Sequence, residues 1–205
     1  MTIEGQDESV GVLNGAVVFL RVDMNSPLDK ATGKLIDEHR IMDGVSAIKW
    51  CFWNGAEVVV AISHQGRDKE DTLKTHLPFI ESHFKNRVKF VENINGLPDI
   101  VRNSHTGDIL LLENIRRLDD EKKYADVTKT VLYRVFKDVE KLGKKVVYAK
   151  DDLSVCHRTD LSVYGLPMQL KSEGYPVVAG QLIKNEIVRV GITKQKMGNS
   201  RVICL

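Results

Sequence analysis

NGAEVVVAISHQGR, residues 54–67, is the stretch that decides the fold. The segment Glu57–Ile62 is almost wholly apolar and rich in β-branched residues, as is typical of a strand buried on both faces of a parallel sheet. The apolar run stops at Ser63, and His64 and Arg67 follow within a few residues. A buried strand therefore delivers two side chains able to carry positive charge at the point where it ends.

Similar apolar runs occur at Gly15–Val22, Val88–Val91, Asp108–Leu112, Lys145–Ala149 and Pro176–Ala179. Between the runs, apolar residues recur every three to four positions in the segments 41–52, 73–84 and 127–139, which indicates helices with one buried face. This alternation predicts an α/β fold, an open, doubly wound, mainly parallel sheet of about six strands with helices on both faces. We expect one domain over residues 1–187. The stretch 188–205 has no clear period, and we expect a tail there.

Composition excludes several classes of protein. The 205 residues include 30 Lys and Arg against 28 Asp and Glu, a net charge of +2 that does not favour nucleic acid as a partner. Cys51, Cys156 and Cys204 form no CxxC pair, so neither a disulfide framework nor a zinc site is expected. The N-terminus is polar and acidic, and no apolar run approaches the roughly 18 residues of a membrane span. We expect a cytoplasmic protein that binds neither membranes nor metal.

Charged and polar residues follow most of the predicted strands. They are Arg21, Asp23 and Asn25; His64 and Arg67; Asn114, Arg116 and Arg117; and Lys150, Asp151, Asp152, His157 and Arg158, with Arg40 at the start of the first helix. Because the carboxyl ends of parallel strands meet at one edge of a sheet, we expect these side chains to converge on one ligand crevice. Guanidinium groups bind phosphate and carboxylate in bidentate fashion, and Asp23 and Asn25 add partners for a hydroxyl group. The pattern predicts a site for a phosphorylated hydroxy acid.

Other interpretations of single residues remain open. An arginine after one strand is commonly a solvated residue or half of a surface ion pair, and only the recurrence after four strands favours a site. His39, His76, His83 and His105 lack partners at metal-ligand spacing and are expected at the surface. The chain has neither GxxxxGK[ST] nor GxGxxG after a strand, so an autonomous ATP or NAD site is not predicted.

Six motifs occur in order over about Val17 to Ile187: RVDMNSPL, DEHRI, NGAEVVVAISHQGR, LLLENIRR, HRTDLSVYG and AGQLIKNEI. Together they resemble the N-terminal, substrate-binding domain of phosphoglycerate kinase, with the SHQGR form of archaeal members. The resemblance implies a Rossmann-like domain that holds 3-phosphoglycerate in a basic patch. In that family the patch faces a nucleotide-binding C-terminal domain across a hinge.

The resemblance also implies roles for individual residues. The substrate-binding residues would be Asp23, Asn25, Arg40, His64, Arg67, Arg116 and Arg158, with Arg21, Asn114 and His157 in support. Asp23 and Asn25 would hold the hydroxyl and carboxyl end of the substrate, and the histidine and the other arginines would surround the phosphate. Arg40 would be the catalytic residue, because a positioned cation offsets charge on a phosphoryl group in transit.

Four departures from the family pattern bear on these roles. Lys150-Asp151-Asp152-Leu153 stands where the family has Asn-Asp-Ala-Phe, and Asp160 replaces the second histidine of its HR-x-H motif. Ser26 replaces an apolar residue and Arg117 an aromatic one. A carboxylate at residue 160 would weaken a phosphate site by repulsion unless Arg158 pairs with it.

The chain ends where the family's second domain would begin, so we expect the nucleotide-binding domain to be absent, and with it the site for Mg-ATP or ADP. We therefore expect a binding domain of glycolytic or gluconeogenic lineage that carries no cofactor and does not transfer phosphate from ATP unaided. One alternative is half of a split kinase, active only with a separate nucleotide-binding chain that contacts Val190, Ile192, Val202, Ile203 and Leu205. Another is a non-catalytic sensor or scaffold with a drifted pocket.

Overall fold

A computed structural model describes residues 11–29, 31–33, 35–67 and 69–197. It contains a six-stranded sheet in the order β3-β4-β2-β1-β5-β6, and every pair of neighbouring strands is parallel. The strands are β1 (Ala16–Val22), β2 (Val58–Ile62), β3 (Val88–Val91), β4 (Asp108–Leu112), β5 (Lys145–Asp151) and β6 (Val177–Ala179). The predicted parallel α/β fold is confirmed.

Burial along the strands explains why their sequences are continuous apolar runs. Every residue of β1, β2 and β4 is buried, because helices cover both faces of these inner strands. The edge strands differ: Lys89 of β3 is exposed, and all three residues of β6 are only partly buried. The inner strands accordingly carry the continuous hydrophobic sequences.

In the described residues, five α-helices connect successive strands and a sixth follows β6: α1 (His39–Trp53), α2 (Leu77–Phe84), α3 (Leu97–Arg102), α4 (Val131–Glu140), α5 (Leu166–Ser172) and α6 (Gln181–Met197). The periodic segments correspond to α1, α2 and α4. Residues of α1 and α2 share one core with Val18 and Leu20 of β1. Residues of α3, α4 and α5 share a second core with Phe19 on the opposite face, where the Phe19 and Phe136 rings lie 4.9 Å apart.

The two layers follow from the handedness of parallel connections. From β1 through β2 to β3 the chain moves toward one edge of the sheet, and from β3 through β4 and β5 to β6 it moves toward the other. Right-handed crossovers then require the first two helices on one face and the next three on the opposite face. The loops after β2 and β4 leave neighbouring strands toward opposite faces, and so do those after β1 and β5. Such switch points open ligand crevices at the carboxyl ends of strands.

Helix α6 continues past residue 188, where the sequence suggested a tail of uncertain structure, and is described as far as Met197. The Asp151 carboxylate, at the end of β5, accepts a hydrogen bond at 3.0 Å from the backbone N–H of Ile183 in the first turn. Such a bond satisfies one of the unpaired donors of a helix N-terminus. Residues 198–205 lie outside the described residues, and with them Val202, Ile203, Leu205 and Cys204. Of the helices in the described ranges, none is long and apolar enough to cross a membrane.

Candidate functional site

A cleft of about 630 Å³ lies at the carboxyl edge of the sheet. Its lining residues come from the segments after β1, β2, β4 and β5: Asn25; His64, Gly66 and Arg67; Arg116 and Lys122; and Arg158. The structure thus brings three of the predicted arginines together with His64 and Asn25, although they are far apart in sequence. A wall with this many cations favours an anionic ligand.

The loop after β2 is fastened to the loop after β1. The Gln65 side chain donates to Ser26 O at 2.8 Å and accepts from Ser26 N at 3.2 Å, and Asn25 Oδ1 accepts from Gly66 N at 2.8 Å. Gly66 has φ +61°, and an added Cβ would collide with the Asp71 carboxylate, so glycine is required at this turn. These bonds fix the point from which Arg67 projects into the cleft.

Asn114 organises the loop after β4. Its side-chain oxygen accepts from Gln65 N and Arg116 N, each at 3.2 Å, and its amide nitrogen donates to Gln65 O at 2.8 Å and Asp71 O at 2.9 Å. The Arg116 guanidinium donates to Gly66 O. Asn114 therefore holds the two arginine-bearing loops together. Burial and the nearby Arg158 charge lower the pKa of Arg116. The neighbouring carboxylates therefore do not fully offset the cost of holding a positive charge at this guanidinium.

His64 enters the cleft as a neutral imidazole. Burial, together with the charges of Arg21 and Arg116, lowers its pKa to about 3. The Arg21 guanidinium lies 3.3 Å from His64 Nδ1 and has only donors, so Nδ1 accepts and the proton resides on Nε2. His64 can therefore donate a hydrogen bond to an anion without adding charge.

Arg40 lies beside the cleft rather than among its lining residues. Its Nη1 donates to Asn25 O at 3.2 Å and is 3.4 Å from Asp23 Oδ2, and its side chain is half exposed. It lines two neighbouring cavities of about 320 and 780 Å³, one of which shares Asn25 and Gly66 with the cleft. The predicted convergence thus groups three arginines in the cleft, with Arg40 adjacent.

Arg21 supports the site from beneath rather than from its edge. It is 2% exposed, donates from Nε to Ser162 Oγ at 2.9 Å, and lies 3.9 Å from the fully buried Asp152 carboxylate. Lys150 Nζ lies 3.7 Å from Asp152 on the other side and donates to Val163 O. Lys150 and Asp152, departures from the family pattern, therefore form a buried charge cluster with Arg21.

Glu121 is also buried and, like Arg21, contacts the Ser162 hydroxyl. Its two carboxylate oxygens accept from Ser162 Oγ at 2.7 Å and Ser162 N at 3.0 Å, and burial raises its pKa from 4.5 to about 7. At a pH between 4.5 and about 7, Glu121 keeps its proton in the folded protein and releases it in the unfolded chain. The stability that neutral Glu121 contributes is therefore complete below pH 4.5 and is lost as the pH rises through about 7.

We expect Glu121→Gln to remove this loss. On going from about pH 5 to about pH 8, the free energy of unfolding of the unmodified protein should fall by about 2 kcal/mol relative to the variant. Urea denaturation at a series of pH values measures the difference. Glu92→Gln, at an exposed position, is the matched control: it keeps Glu121, so its pH profile should run parallel to that of the unmodified protein. Parallel pH profiles for Glu121→Gln and the unmodified protein would contradict the expectation.

Several positions differ from what the sequence suggested. Asp160 pairs with Lys122 at 2.8 Å rather than with Arg158. Arg117 turns away from the cleft, 3.0 Å from Glu113 and donating to Glu70 O. His157 is exposed and is not among the described residues that line the cleft. Lys122 is a cleft residue that sequence reasoning missed, since it follows β4 by ten residues.

The prediction for His76 is wrong: it was expected at the surface, and the residue is fully buried. Its Nε2 donates to Met24 O at 3.0 Å, and Nδ1 lies 2.9 Å from Thr75 Oγ1. Burial lowers its pKa. His76 ties the segment before α2 to the loop that carries Asn25.

The donor set of the site suits an anion rather than a metal. In residues 11–197, leaving aside positions 30, 34 and 68, no three His, Cys, Asp or Glu side chains are grouped so that they could hold a metal ion. The cleft itself presents guanidinium, ammonium and imidazole donors.

The fold and this edge define a parallel α/β domain with a cationic ligand crevice at a switch point. The family model of phosphoglycerate kinase matches residues 9–203. The chain belongs to the phosphoglycerate kinase family.

Two relatives agree with this assignment, and a solved structure shares the fold. The phosphoglycerate kinase of Pyrobaculum aerophilum is 33% identical over 193 residues, which cover 90% of this chain and 44% of that protein. The enzyme of Saccharolobus solfataricus is 34% identical over 175 residues, 83% of this chain and 41% of the relative. The crystal structure of the phosphoglycerate kinase from Pyrococcus horikoshii OT3 matches with a TM-score of 0.74 at 24% identity, over 92% of this chain and 45% of that one. The chain thus spans less than half the length of these relatives.

Proposed function

We propose that this chain binds 3-phosphoglycerate, or a similar phosphorylated hydroxy acid, in the cleft at the carboxyl edge of the sheet. The observation that carries the proposal is the convergence of Arg67, Arg116 and Arg158, from three separate loops, around neutral His64. Phosphate offers several acceptor oxygens, and planar guanidinium groups match them with paired N–H donors. Membership of the family supports the choice of ligand.

The other end of the ligand would lie toward the loop after β1. Asn25 Oδ1 is occupied by Gly66 N, which leaves the Asn25 amide nitrogen to donate to a carboxylate. Asp23 accepts from Asn25 N, Arg40 and Ser154, and its carboxylate can also accept from a substrate hydroxyl. The ligand is oriented because cations hold one end and a mixed donor and acceptor pair holds the other.

The position of Arg40 supports a role in phosphoryl transfer. It lies at the start of α1, next to Asn25 but outside the cluster that would hold the substrate phosphate. We propose that it would offset charge on a phosphoryl group moving to the substrate carboxylate. Transfer also requires that both substrates be aligned and water excluded, so this chain is proposed to bind substrate in the cytosol, without cofactor, and not to complete transfer unaided.

Calorimetric titration with 3-phosphoglycerate tests the proposal. We expect saturable binding with Kd of about 1 mM or tighter, weakened by added salt because the attraction is between charges. Glycerate, which lacks the phosphate, is the matched control ligand and should bind far more weakly. Absence of saturable heat with 3-phosphoglycerate, or equal binding of glycerate, would refute the proposal.

A second candidate function is one half of a split kinase. Ile187, Val188 and Val190 of α6 are 65%, 50% and 56% exposed, an apolar face that a nucleotide-binding chain could cover. The side chain of Ile192 lies outside the described set. A coupled activity assay with a separately expressed nucleotide-binding domain tests this candidate. Turnover should appear only when both chains are present, and its absence with both chains folded would count against it.

A further inference from the structure

The cleft contains one ion pair that the proposed function does not use. Lys122, in the segment after β4, lines the cleft together with Arg67, Arg116 and Arg158. Its Nζ donates to Asp160 Oδ2 at 2.8 Å. The Lys122 side chain is 47% exposed and the Asp160 side chain 14%. A carboxylate is thus bound to a lysine that faces the same space as the arginines.

The two partners differ in how firmly they are held. The backbone carbonyl of Asp160 accepts from Val163 N at 3.1 Å and Tyr164 N at 2.8 Å, at the start of the π-helical turn Leu161–Gly165. The Tyr124 hydroxyl donates to the carbonyl of the preceding residue, Thr159, at 3.0 Å. Lys122 lies in an exposed stretch and has four rotatable side-chain bonds. Asp160 is therefore the fixed partner, and Lys122 is able to swing.

Asp160 also acts on the rest of the site. Its charge raises the pKa of Arg116, opposing the effect of burial and of Arg158. A carboxylate that stabilises the charged form of a phosphate-facing guanidinium must repel a phosphate held by that guanidinium, because both interactions arise from the same field. In the described part of the chain, the Asp160 carboxylate forms its ion pair with Lys122.

We infer that Lys122 is a fourth phosphate-facing cation of the cleft and that Asp160 is an internal competitor that holds it when no anion is bound. This inference rests on the proposed function, because it concerns how tightly the same cleft binds its ligand. When a phosphate enters, the Lys122 ammonium exchanges the Asp160 carboxylate for a phosphate oxygen. An ion pair with a half-exposed lysine contributes little to stability, so breaking it requires little free energy. The fixed Asp160 charge meanwhile lowers the affinity for the anion.

Two single variants and a matched control test the inference by calorimetric titration with 3-phosphoglycerate. Asp160→Asn keeps a side-chain oxygen for Lys122 but removes the repelling charge, and should tighten binding by about three- to tenfold. Lys122→Ala should weaken binding by about fivefold or more, since it removes a contact and leaves Asp160 unpaired. Lys123→Ala removes the same charge from the next residue, which is not among the cleft-lining residues described, and should change Kd by less than about twofold.

The variant Lys122→Ala/Asp160→Asn measures the contribution of Lys122 when the Asp160 charge is absent. It should bind 3-phosphoglycerate about threefold or more weakly than Asp160→Asn alone. Because Lys123→Ala removes the same charge outside the cleft, a loss larger than that of Lys123→Ala supports direct contact of Lys122 with the ligand. Equal binding by Asp160→Asn and the unmodified protein, or equal effects of Lys122→Ala and Lys123→Ala, would overturn the inference. Thermal unfolding of each variant verifies the fold.

If the unmodified protein fails to bind 3-phosphoglycerate, the proposed function fails. If it binds and the variants do not separate, only the present inference fails.

Discussion

Arg21→Met is expected to lower the free energy of unfolding by about 3 to 5 kcal/mol, the largest effect of any single substitution considered for this chain. Arg21 is 2% exposed and lies near the carboxyl end of β1, in the buried charge cluster with Asp152 and Lys150. Removing its charge leaves Asp152, which is fully buried, with Lys150 at 3.7 Å as its remaining ion-pair partner among the described residues. Burial already raises the pKa of the Asp152 carboxyl. An unpaired buried charge is costly because the interior cannot solvate it.

Urea denaturation at neutral pH measures the effect, and two further variants identify its cause. Arg21→Met/Asp152→Asn removes both charges and should recover a large part of the lost stability, because a buried ion pair can often be replaced by neutral groups at little cost. Arg102→Ala removes an arginine paired with Asp99 at the surface and should cost less than about 0.5 kcal/mol. A loss below about 1 kcal/mol for Arg21→Met would show that the buried charge cluster tolerates Asp152 without its partner.

The strands could be predicted almost to the residue because burial determines their composition. The run Gly15–Val22 corresponds to β1 (Ala16–Val22), and Asp108–Leu112 is unchanged as β4. Both lie inside the sheet, where nearly every position must be apolar. Helices α3 and α5, of six and seven residues, were missed because two turns or fewer cannot establish a 3.6-residue period.

The candidate site was less predictable from the sequence than the strands, because its side-chain contacts join residues that are distant in sequence. Arginines after strands were predictable from topology alone, since parallel strands end at one edge. The pairing of Lys122 with Asp160 spans 38 residues, and no local pattern indicates it. The burial of His76 had a detectable signal: it falls between Leu73 and Ile80 at helical spacing, on the buried side. The expectation of a surface position rested on the lack of partners at metal-ligand spacing, which does not bear on burial.

The second large effect is expected on ligand binding, from Arg67→Ala. Arg67 is exposed, follows the fixed Gly66 turn, and lines the cleft beside Arg116 and Arg158. Loss of a charge-assisted contact with phosphate should weaken binding of 3-phosphoglycerate by about 10- to 100-fold. Since the side chain is exposed, the free energy of unfolding should change by less than about 0.5 kcal/mol. Calorimetric titration and urea denaturation measure the two quantities on the same preparation.

Arg117→Ala is the matched control for this prediction. It removes the same charge at the same edge of the sheet, but Arg117 is directed to Glu113 and Glu70 O rather than into the cleft. At physiological salt a charge outside the cleft is largely screened, so Kd should change by less than about threefold. Arg67→Lys keeps the charge without the planar pair of donors and should fall between Arg67→Ala and the unmodified protein. If Arg67→Ala and Arg117→Ala weaken binding equally, the anion responds to the overall charge of the surface, and the loop geometry that aims Arg67 has no part in recognition.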